Sequence, residues 1–102
     1  GVNFVLATLA QNAFIKYSQY LASVVQKALS KKMRSLDMIS RGVKQGPFWV
    51  MVGATMPNIL VEMGFISNKH EALLLKQKST QTRIAAALSD GIVKYKKDIE
   101  SA

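Results

Sequence analysis

A single carboxylate, Glu62, lies in an otherwise apolar run that extends from Ile59 to Met63. Burying an unpaired carboxylate is costly, so such a group is usually neutralised, paired with a partner or placed against a metal ion. Glu62 is the only acidic residue between Asp37 and Glu71, and no basic residue lies close to it in the sequence. The sequence therefore predicts that any partner of Glu62 comes from elsewhere in the fold or from outside this chain.

Two short apolar runs are expected to position this carboxylate. Residues 48–52 are aromatic and β-branched and are bounded by Gly-Pro and Gly, which predicts a buried strand. Residues 59–63 predict a second strand, after the break at Pro57. Both runs are continuously apolar rather than alternating, and this favours a sheet that is covered by helices on both faces.

Helices are predicted on either side of these runs. Residues 4–34 form one long helix or two helices with a bend near Asn12, because apolar residues recur at three- and four-residue spacings and no proline intervenes. Residues 35–46, which contain glycines, read as a connection. Asn68, followed by Glu71 three residues later, predicts the N-cap of a short helix over about 69–76. Another helix is expected to start at Ser79 or Thr80. Its predicted apolar stripe comprises Ile84, Ala87, Leu88, Ile92 and Tyr95.

The predicted order is helix, strand, strand, helix, helix. Natural sheets usually have about 4–6 strands, and two strands cannot form a covered sheet alone. We therefore expect residues 1–102 to be the C-terminal part of one larger α/β domain.

Composition narrows the classes of partner. The chain has 102 residues, no cysteine and a formal net charge of +8, which favours anionic partners such as nucleic acid, anionic lipid or an acidic cell-wall polymer. Cysteine-based disulfides and thiolate metal sites are excluded. No apolar run approaches the roughly 18 residues that a membrane span needs.

Three segments resemble the C-terminal part of the zinc-dependent N-acetylmuramoyl-L-alanine amidases of type three. They are Arg41-Gly42-Val43-Lys44, Phe48-Trp49-Val50-Met51 and the string from Met56-Pro57 to Asn68. The run from Ile84 to Ile92 fits the closing helix of that family. Residues 9–22 resemble the preceding helix, especially as it occurs in Gram-negative division amidases. The resemblance covers nearly the whole chain, and Val-Glu-Met-Gly-Phe-Ile-Ser-Asn is its most specific part.

The resemblance implies a twisted, mostly parallel sheet flanked by helices. It also implies hydrolysis of the amide between N-acetylmuramic acid and the L-alanine of the peptide stem, in the periplasm or cell envelope. One zinc ion is expected, bound by two histidines and a glutamate that all lie upstream of the segment present here. A further glutamate, at the position of Glu62, is the implied catalytic residue beside the metal-bound water. The isolated chain is therefore expected to bind no catalytic zinc and to be inactive until it associates with an N-terminal half.

Other residues have weaker assignments. Arg41 and Lys44 are candidate contacts to anionic peptidoglycan, although a solvated loop pair is the more frequent meaning of such residues. His70 follows the matching string and is expected to be exposed rather than a zinc ligand. Asn68 is expected to act as a cap rather than as a substrate contact.

The resemblance to division amidases also implies regulation. In those enzymes an inserted helical segment plugs the zinc site, and activator proteins with a degenerate LytM fold release it. The present chain begins about where such an insert would end, so a LytM-type activator is an expected partner, and the expected process is cell-wall remodelling and daughter-cell separation.

Two other functions stay open. A basic helical module could bind nucleic acid through Lys27, Lys31, Lys32 and Arg34, although no recognition motif supports this and Glu62 would be unexplained. The chain could also be a structural half that completes another chain's sheet without using Glu62.

Overall fold

The structure, a computed structural model, describes residues 14–36, 42–43, 54–62 and 68–101. Within these residues the regular elements are helical. They are α1 (Ile15–Lys32), a 3-10 turn (Arg34–Leu36), α2 (Lys69–Lys76) and α3 (Lys78–Glu100).

Helix α1 buries a narrow apolar face. Val24 and Val25 are its buried residues, at 6% and 2% exposure. The helix ends at Lys32 and is capped by Met33, whose backbone N–H donates to the carbonyl oxygen of Leu29 at 2.8 Å. Lys31 and Lys32 lie in the last turn, where cations interact favourably with the helix dipole.

Helix α2 begins where the sequence predicts. The Asn68 side chain accepts a hydrogen bond from the backbone N–H of Glu71 at 3.1 Å, so Asn68 is the N-cap. This contact satisfies one of the donors that a helix N-terminus leaves unpaired. The predicted cap and the predicted bounds of about 69–76 are confirmed.

A single residue, Gln77, separates α2 from α3. Its extended backbone, with φ −78° and ψ 131°, ends one helix and begins the next. The side-chain amide of Gln81 donates to the carbonyl oxygen of Leu75 at 2.9 Å and so joins the two helices. Helix α3 starts at Lys78, one residue before the predicted Ser79.

Helices α1 and α3 pack side by side in antiparallel orientation. The Tyr20 hydroxyl, near the start of α1, donates to Asp98, near the end of α3. At the opposite end, Arg83 donates to the Ser35 hydroxyl at 2.7 Å. The N-terminal end of α1 therefore lies beside the C-terminal end of α3, and the C-terminal end of α1 lies near the start of α3.

The two helix backbones approach each other closely at Gly91. A Cβ atom on Gly91 would lie 2.9 Å from the Cα atom of Val25 and 3.0 Å from its Cγ2 atom. Gly91 is buried on the same face of α3 as Thr80, Ile84 and Ala87. Glycine is costly inside a helix, and here its missing side chain provides the space into which Val25 packs.

The predicted α/β fold is wrong for the part of the chain that the structure describes, because that part is helical and contains no strand. Residues 59–62, predicted to belong to the second strand, have no regular secondary structure. A short apolar run becomes a strand only by pairing with a neighbour, and sequence pattern alone does not show that pairing. The predicted first strand, residues 48–52, lies outside the described residues.

Other helical predictions fare better. The described part of the predicted helix over 4–34 is helical from Ile15 to Lys32, whereas residues 4–13 and Asn12 lie outside the described part. The predicted stripe of α3 is partly wrong, because Ile92 is 54% exposed while Ile84 and Ala87 are buried. In the predicted connection, Gly42 has φ +73°, a left-handed conformation that glycine adopts without strain.

Among the residues described, no helix combines the length and apolar character that crossing a membrane requires.

Candidate functional site

Glu62 is the last residue of the described segment 54–62, which has no regular secondary structure. Exposure alternates along its last four residues: Ile59 and Val61 are half-buried, whereas Leu60 and Glu62 are exposed. Ile59 and Val61 are thus partly covered by the protein, whereas Glu62 faces solvent. The burial of this carboxylate that its apolar neighbours suggested is therefore wrong for the chain described here.

The segment is tied to α1 through Asn58. The backbone N–H of Asn58 donates to the Ser18 hydroxyl at 3.0 Å, across 40 residues of sequence. The side-chain amide of Asn58 donates to the carbonyl oxygen of Met56 at 2.8 Å and so stabilises the bend before it. These two hydrogen bonds fix the segment four residues before Glu62.

Two apolar side chains of this segment are exposed as well. Leu60 is 45% exposed, and Met56, earlier in the segment, is 60% exposed. An accessible carboxylate can accept or deliver a proton at the surface of a large substrate, provided that the reacting atoms come within hydrogen-bonding distance.

The described residues do not fit a zinc site. They contain no group of three or more histidine, aspartate or glutamate side chains that could hold a metal ion. A catalytic zinc usually has three protein ligands, and the full sequence contains one histidine and no cysteine. That histidine, His70, is exposed in the first turn of α2, which confirms its predicted exposure.

Two of the predicted site residues, Arg41 and Lys44, lie outside the described residues, so their assignment as peptidoglycan contacts stays a prediction.

The buried carboxylate of the described region is Glu71, which is 2% exposed. Sequence reasoning identified Glu71 only as the third residue after the Asn68 cap. The sequence signal for its burial is the three-residue spacing between Glu71 and Leu74, which places both side chains on one face of α2. Both residues are buried.

A cluster of polar side chains joins the start of α1 to the end of α3. Asp98 accepts hydrogen bonds from the Tyr20 hydroxyl and from the Lys94 ammonium group, the latter at 3.0 Å. The rings of Tyr20 and Tyr95 lie 6.1 Å apart with an interplanar angle of 41°. The Lys94–Asp98 pair was visible in the sequence as an i, i+4 spacing, but nothing in the sequence pointed to Tyr20.

The cluster shifts the pKa values of its three members. The hydrogen bonds from Tyr20 and then Lys94 lower the pKa of the Asp98 carboxyl group. The hydrogen bond to Asp98 raises the pKa of Tyr20 and also raises the pKa of Lys94. All three shifts favour the hydrogen-bonded state at neutral pH, which indicates a structural link between the helices.

Comparison with known proteins covers almost the whole sequence. Residues 2–94 match the family model described as N-acetylmuramoyl-L-alanine amidase. An uncharacterized cell wall amidase of Bacillus anthracis is 35% identical over 88 residues, 86% of this chain and 16% of that protein. The N-acetylmuramoyl-L-alanine amidase LytC of Bacillus subtilis is 38% identical over 78 residues, 76% of this chain and 15% of that protein.

The N-acetylmuramoyl-L-alanine amidase AmiA of Escherichia coli is 35% identical over 91 residues, 89% of this chain and 30% of that protein. The chain thus spans less than a third of the length of each of these three relatives. No solved structure matches the chain significantly. Since the family model matches 93 of its 102 residues (2 to 94 inclusive), this chain belongs to the N-acetylmuramoyl-L-alanine amidase family.

Proposed function

We propose that this chain is the C-terminal part of the catalytic domain of a peptidoglycan amidase, and that it supplies the catalytic glutamate, Glu62. The observation that carries the proposal is the family match over residues 2–94. The exposure of Glu62 supports it, because a catalytic carboxylate must be accessible to an extended cell-wall polymer. The reaction is hydrolysis of the amide between N-acetylmuramic acid and the L-alanine of the stem peptide.

The role of Glu62 follows from the chemistry of amide hydrolysis. Water attacks the carbonyl carbon, the bond between that carbon and the amide nitrogen breaks, and the nitrogen must receive a proton. A carboxylate beside the attacking water takes its proton and later delivers a proton to the leaving amine. Positioned acid–base catalysis of this kind contributes about 10²–10⁴-fold to the rate.

We further propose that the active protein uses one zinc ion whose ligands lie outside this chain. A zinc ion polarises a carbonyl group and lowers the pKa of water that it binds. The described residues do not supply a zinc site, so the only step assigned to this chain is the proton transfer by Glu62.

The cellular setting is also a proposal. The Bacillus anthracis relative is named as a cell wall amidase, and this favours a location in the cell envelope, the periplasm in a Gram-negative cell. The proposed process is cell-wall remodelling and daughter-cell separation, and it rests on the resemblance of residues 9–22 to the division amidases. A LytM-type activator protein is the corresponding regulatory partner.

The decisive experiment replaces Glu62 by Gln in the complete amidase that contains this chain. The substitution removes the ionisable group and nearly preserves the shape of the side chain. We expect release of stem peptides from purified peptidoglycan to fall by about 10²–10⁴-fold. Folding is checked in parallel by circular dichroism.

The matched control replaces Glu100, an exposed glutamate that pairs with Lys96 at 3.2 Å near the end of α3. Glu100→Gln makes the same chemical change away from residues 54–62, and we expect wild-type activity. Hydrolysis at the wild-type rate by the Glu62→Gln protein would remove the catalytic assignment and leave the chain a structural part of the domain.

A further inference from the structure

Helix α1 carries an exposed row of cations. Residues 15–32 contain no Asp or Glu. Lys27, Lys31 and Arg34 are all exposed, and their spacing of four and then three residues places them along one side of the helix and the turn that follows it. We call these three residues the basic stripe.

The neighbouring helix extends the positive charge. Ser35 accepts a hydrogen bond from Arg83 at 2.7 Å, so the exposed Arg83 guanidinium lies beside the end of the basic stripe. Helix α3 begins at Lys78 and has no acidic residue in its first turn, although anions are favoured at a helix N-terminus. Positive groups from two helices therefore meet at this end of the helix pair.

Three carboxylates of the described residues pair with lysines that do not belong to the basic stripe. Asp98 and Glu100 pair with lysines at the opposite end of α3. Asp90 pairs with Lys32 at 3.7 Å, and this is a contact between two exposed side chains. Like charges at i, i+4, such as Lys27 and Lys31, destabilise a helix, so an anionic ligand bound to the basic stripe would relieve an existing repulsion.

The exposed large apolar residues of α1 are Tyr17 and Tyr20. Tyr20 lies two turns before Lys27, about 10 Å at 1.5 Å per residue, on the same side of the helix, but its hydroxyl is bound to Asp98 and its ring packs beside Tyr95. Proteins that bind single-stranded nucleic acid combine cations with aromatic side chains on which bases stack. Helices that bind membrane surfaces combine cations with an apolar face. Between Lys27 and Arg34 themselves, the described residues include no exposed aromatic or large apolar side chain.

We propose that the basic stripe binds the free carboxylates of peptidoglycan stem peptides and so holds the chain on the polymer. This inference rests on the proposed amidase function, because it takes its polyanion from the substrate of that reaction. The contacts are those of exposed cations with exposed carboxylates, which are screened by salt. Binding should therefore weaken as ionic strength rises.

The test measures sedimentation of the full 102-residue chain with purified, insoluble peptidoglycan over a range of salt concentrations. A double variant, Lys31→Gln with Arg34→Gln, removes two charges from the basic stripe. Its control, Lys96→Gln with Lys97→Gln, removes two charges from the far end of α3. We expect roughly tenfold weaker binding for the first variant, by analogy with polyanion contacts, and a change within about twofold for the control.

A second arm changes the polymer instead of the protein. Peptidoglycan whose carboxylates have been converted to amides should bind the wild-type chain as weakly as the stripe variant binds untreated peptidoglycan. Undiminished binding to the amidated polymer would overturn the proposal, and so would equal losses for the two double variants, since the total charge would then explain binding.

Duplex DNA and vesicles with anionic headgroups are measured at the same salt concentration. Tighter binding to either, with the same dependence on Lys31 and Arg34, would overturn the assignment to peptidoglycan in favour of that polyanion. The assay requires no turnover, so it is independent of the Glu62→Gln experiment. Loss of the catalytic assignment would leave this readout intact, and failure of binding would leave the activity measurement intact.

Discussion

At the scale of single residues, the Asp98 carboxylate links Tyr20 of α1 to Lys94 of α3. Its pKa is lowered in the folded chain. A group with a lowered folded pKa contributes stability above its unfolded pKa, about 3.9 for Asp, and loses that contribution as the pH falls through the folded value. The pKa values of Tyr20 and Lys94 are raised, so their contributions are present at neutral pH and are lost as the pH rises through their folded values.

Replacing Asp98 by Asn should therefore flatten the pH dependence of stability on both sides. We expect the variant to be less stable than wild type at pH 7 and to lose less further stability below about pH 4 and above about pH 10, near the ordinary pKa values of Asp and Tyr. Urea unfolding, followed by circular dichroism across this range, measures the effect.

The control for this experiment is Glu100→Gln, because the Lys96–Glu100 pair is an exposed i, i+4 pair within the same helix. Exposed i, i+4 pairs contribute little to stability. An Asp98→Asn profile that runs parallel to the wild-type profile would contradict the link, whereas the Glu100→Gln profile should run parallel to it.

Residue-scale features were predictable where they depend on neighbours in sequence. The Asn68 cap and its contact to Glu71 span three residues and were predicted correctly. The exposure of Glu62 was not, because burial of an extended segment depends on which elements pack against it. The Tyr20–Asp98 bond joins residues 78 positions apart, and no local pattern encodes such a pairing.

At the scale of elements, the packing of α1 on α3 depends on the absence of a side chain at Gly91. In an exposed helix, replacing Gly by Ala stabilises by about 0.8–1.0 kcal/mol. Here the new methyl group would lie 2.9 Å from the backbone of Val25. We expect Gly91→Ala to destabilise the chain by about 1–3 kcal/mol, the usual cost of overpacking, as measured by urea unfolding.

Ser89→Ala provides the matched comparison, since Ser89 is an exposed residue of the same helix. Its substitution should leave stability unchanged or raise it slightly, because alanine has the higher helix propensity. A stabilising effect of Gly91→Ala, similar to that of Ser89→Ala, would show that the two helices do not approach as closely as described.

The contact between Ser18 and Asn58 determines how residues 54–62 lie on α1. Ser18→Ala removes the hydroxyl that accepts from the Asn58 amide at 3.0 Å. A hydrogen bond of this kind contributes about 0.5–1.5 kcal/mol, so amide hydrogen exchange at Asn58 should become roughly two- to tenfold faster. Ser18→Thr keeps the hydroxyl and should keep the slow exchange. Equal exchange in wild type and Ser18→Ala would rule out the tether.

Elements were predictable where their boundaries are locally encoded. Helix α2 has a cap at its start and was predicted with its observed bounds. The strand over residues 59–63 was inferred from an apolar run, and such runs are ambiguous because strands require partners. The fold class failed for this reason, since it depended on two strands rather than on the helices.

At the scale of the whole molecule, the proposal that the zinc ligands lie outside this chain predicts that the purified chain retains little zinc. We expect elemental analysis of the 102-residue chain, dialysed against zinc, to show well under one zinc per chain, and we expect no amidase activity. The reason is the donor set: one histidine, no cysteine and no cluster of three ligands among the described residues. The complete amidase serves as the positive control, with an expected one zinc per active site.

Stoichiometric zinc in the isolated chain would contradict the assignment of the ligands to another part of the protein. Substitution of His70 by Ala would then show whether this exposed residue takes part.

The antiparallel pairing of α1 with α3 has a consequence for the order of folding. The contacts that join these helices span 48 residues at Arg83 and Ser35 and 78 residues at Tyr20 and Asp98. Helical proteins usually fold quickly because their contacts are local. Here a long segment of chain must lose conformational entropy before the contacts between α1 and α3 can form and stabilise the pair. During synthesis, the apolar face of α1 cannot be buried against α3 until residues 78–100 have been made. We therefore expect the pairing of these two helices to form with the slower kinetics that are more usual for sheet proteins.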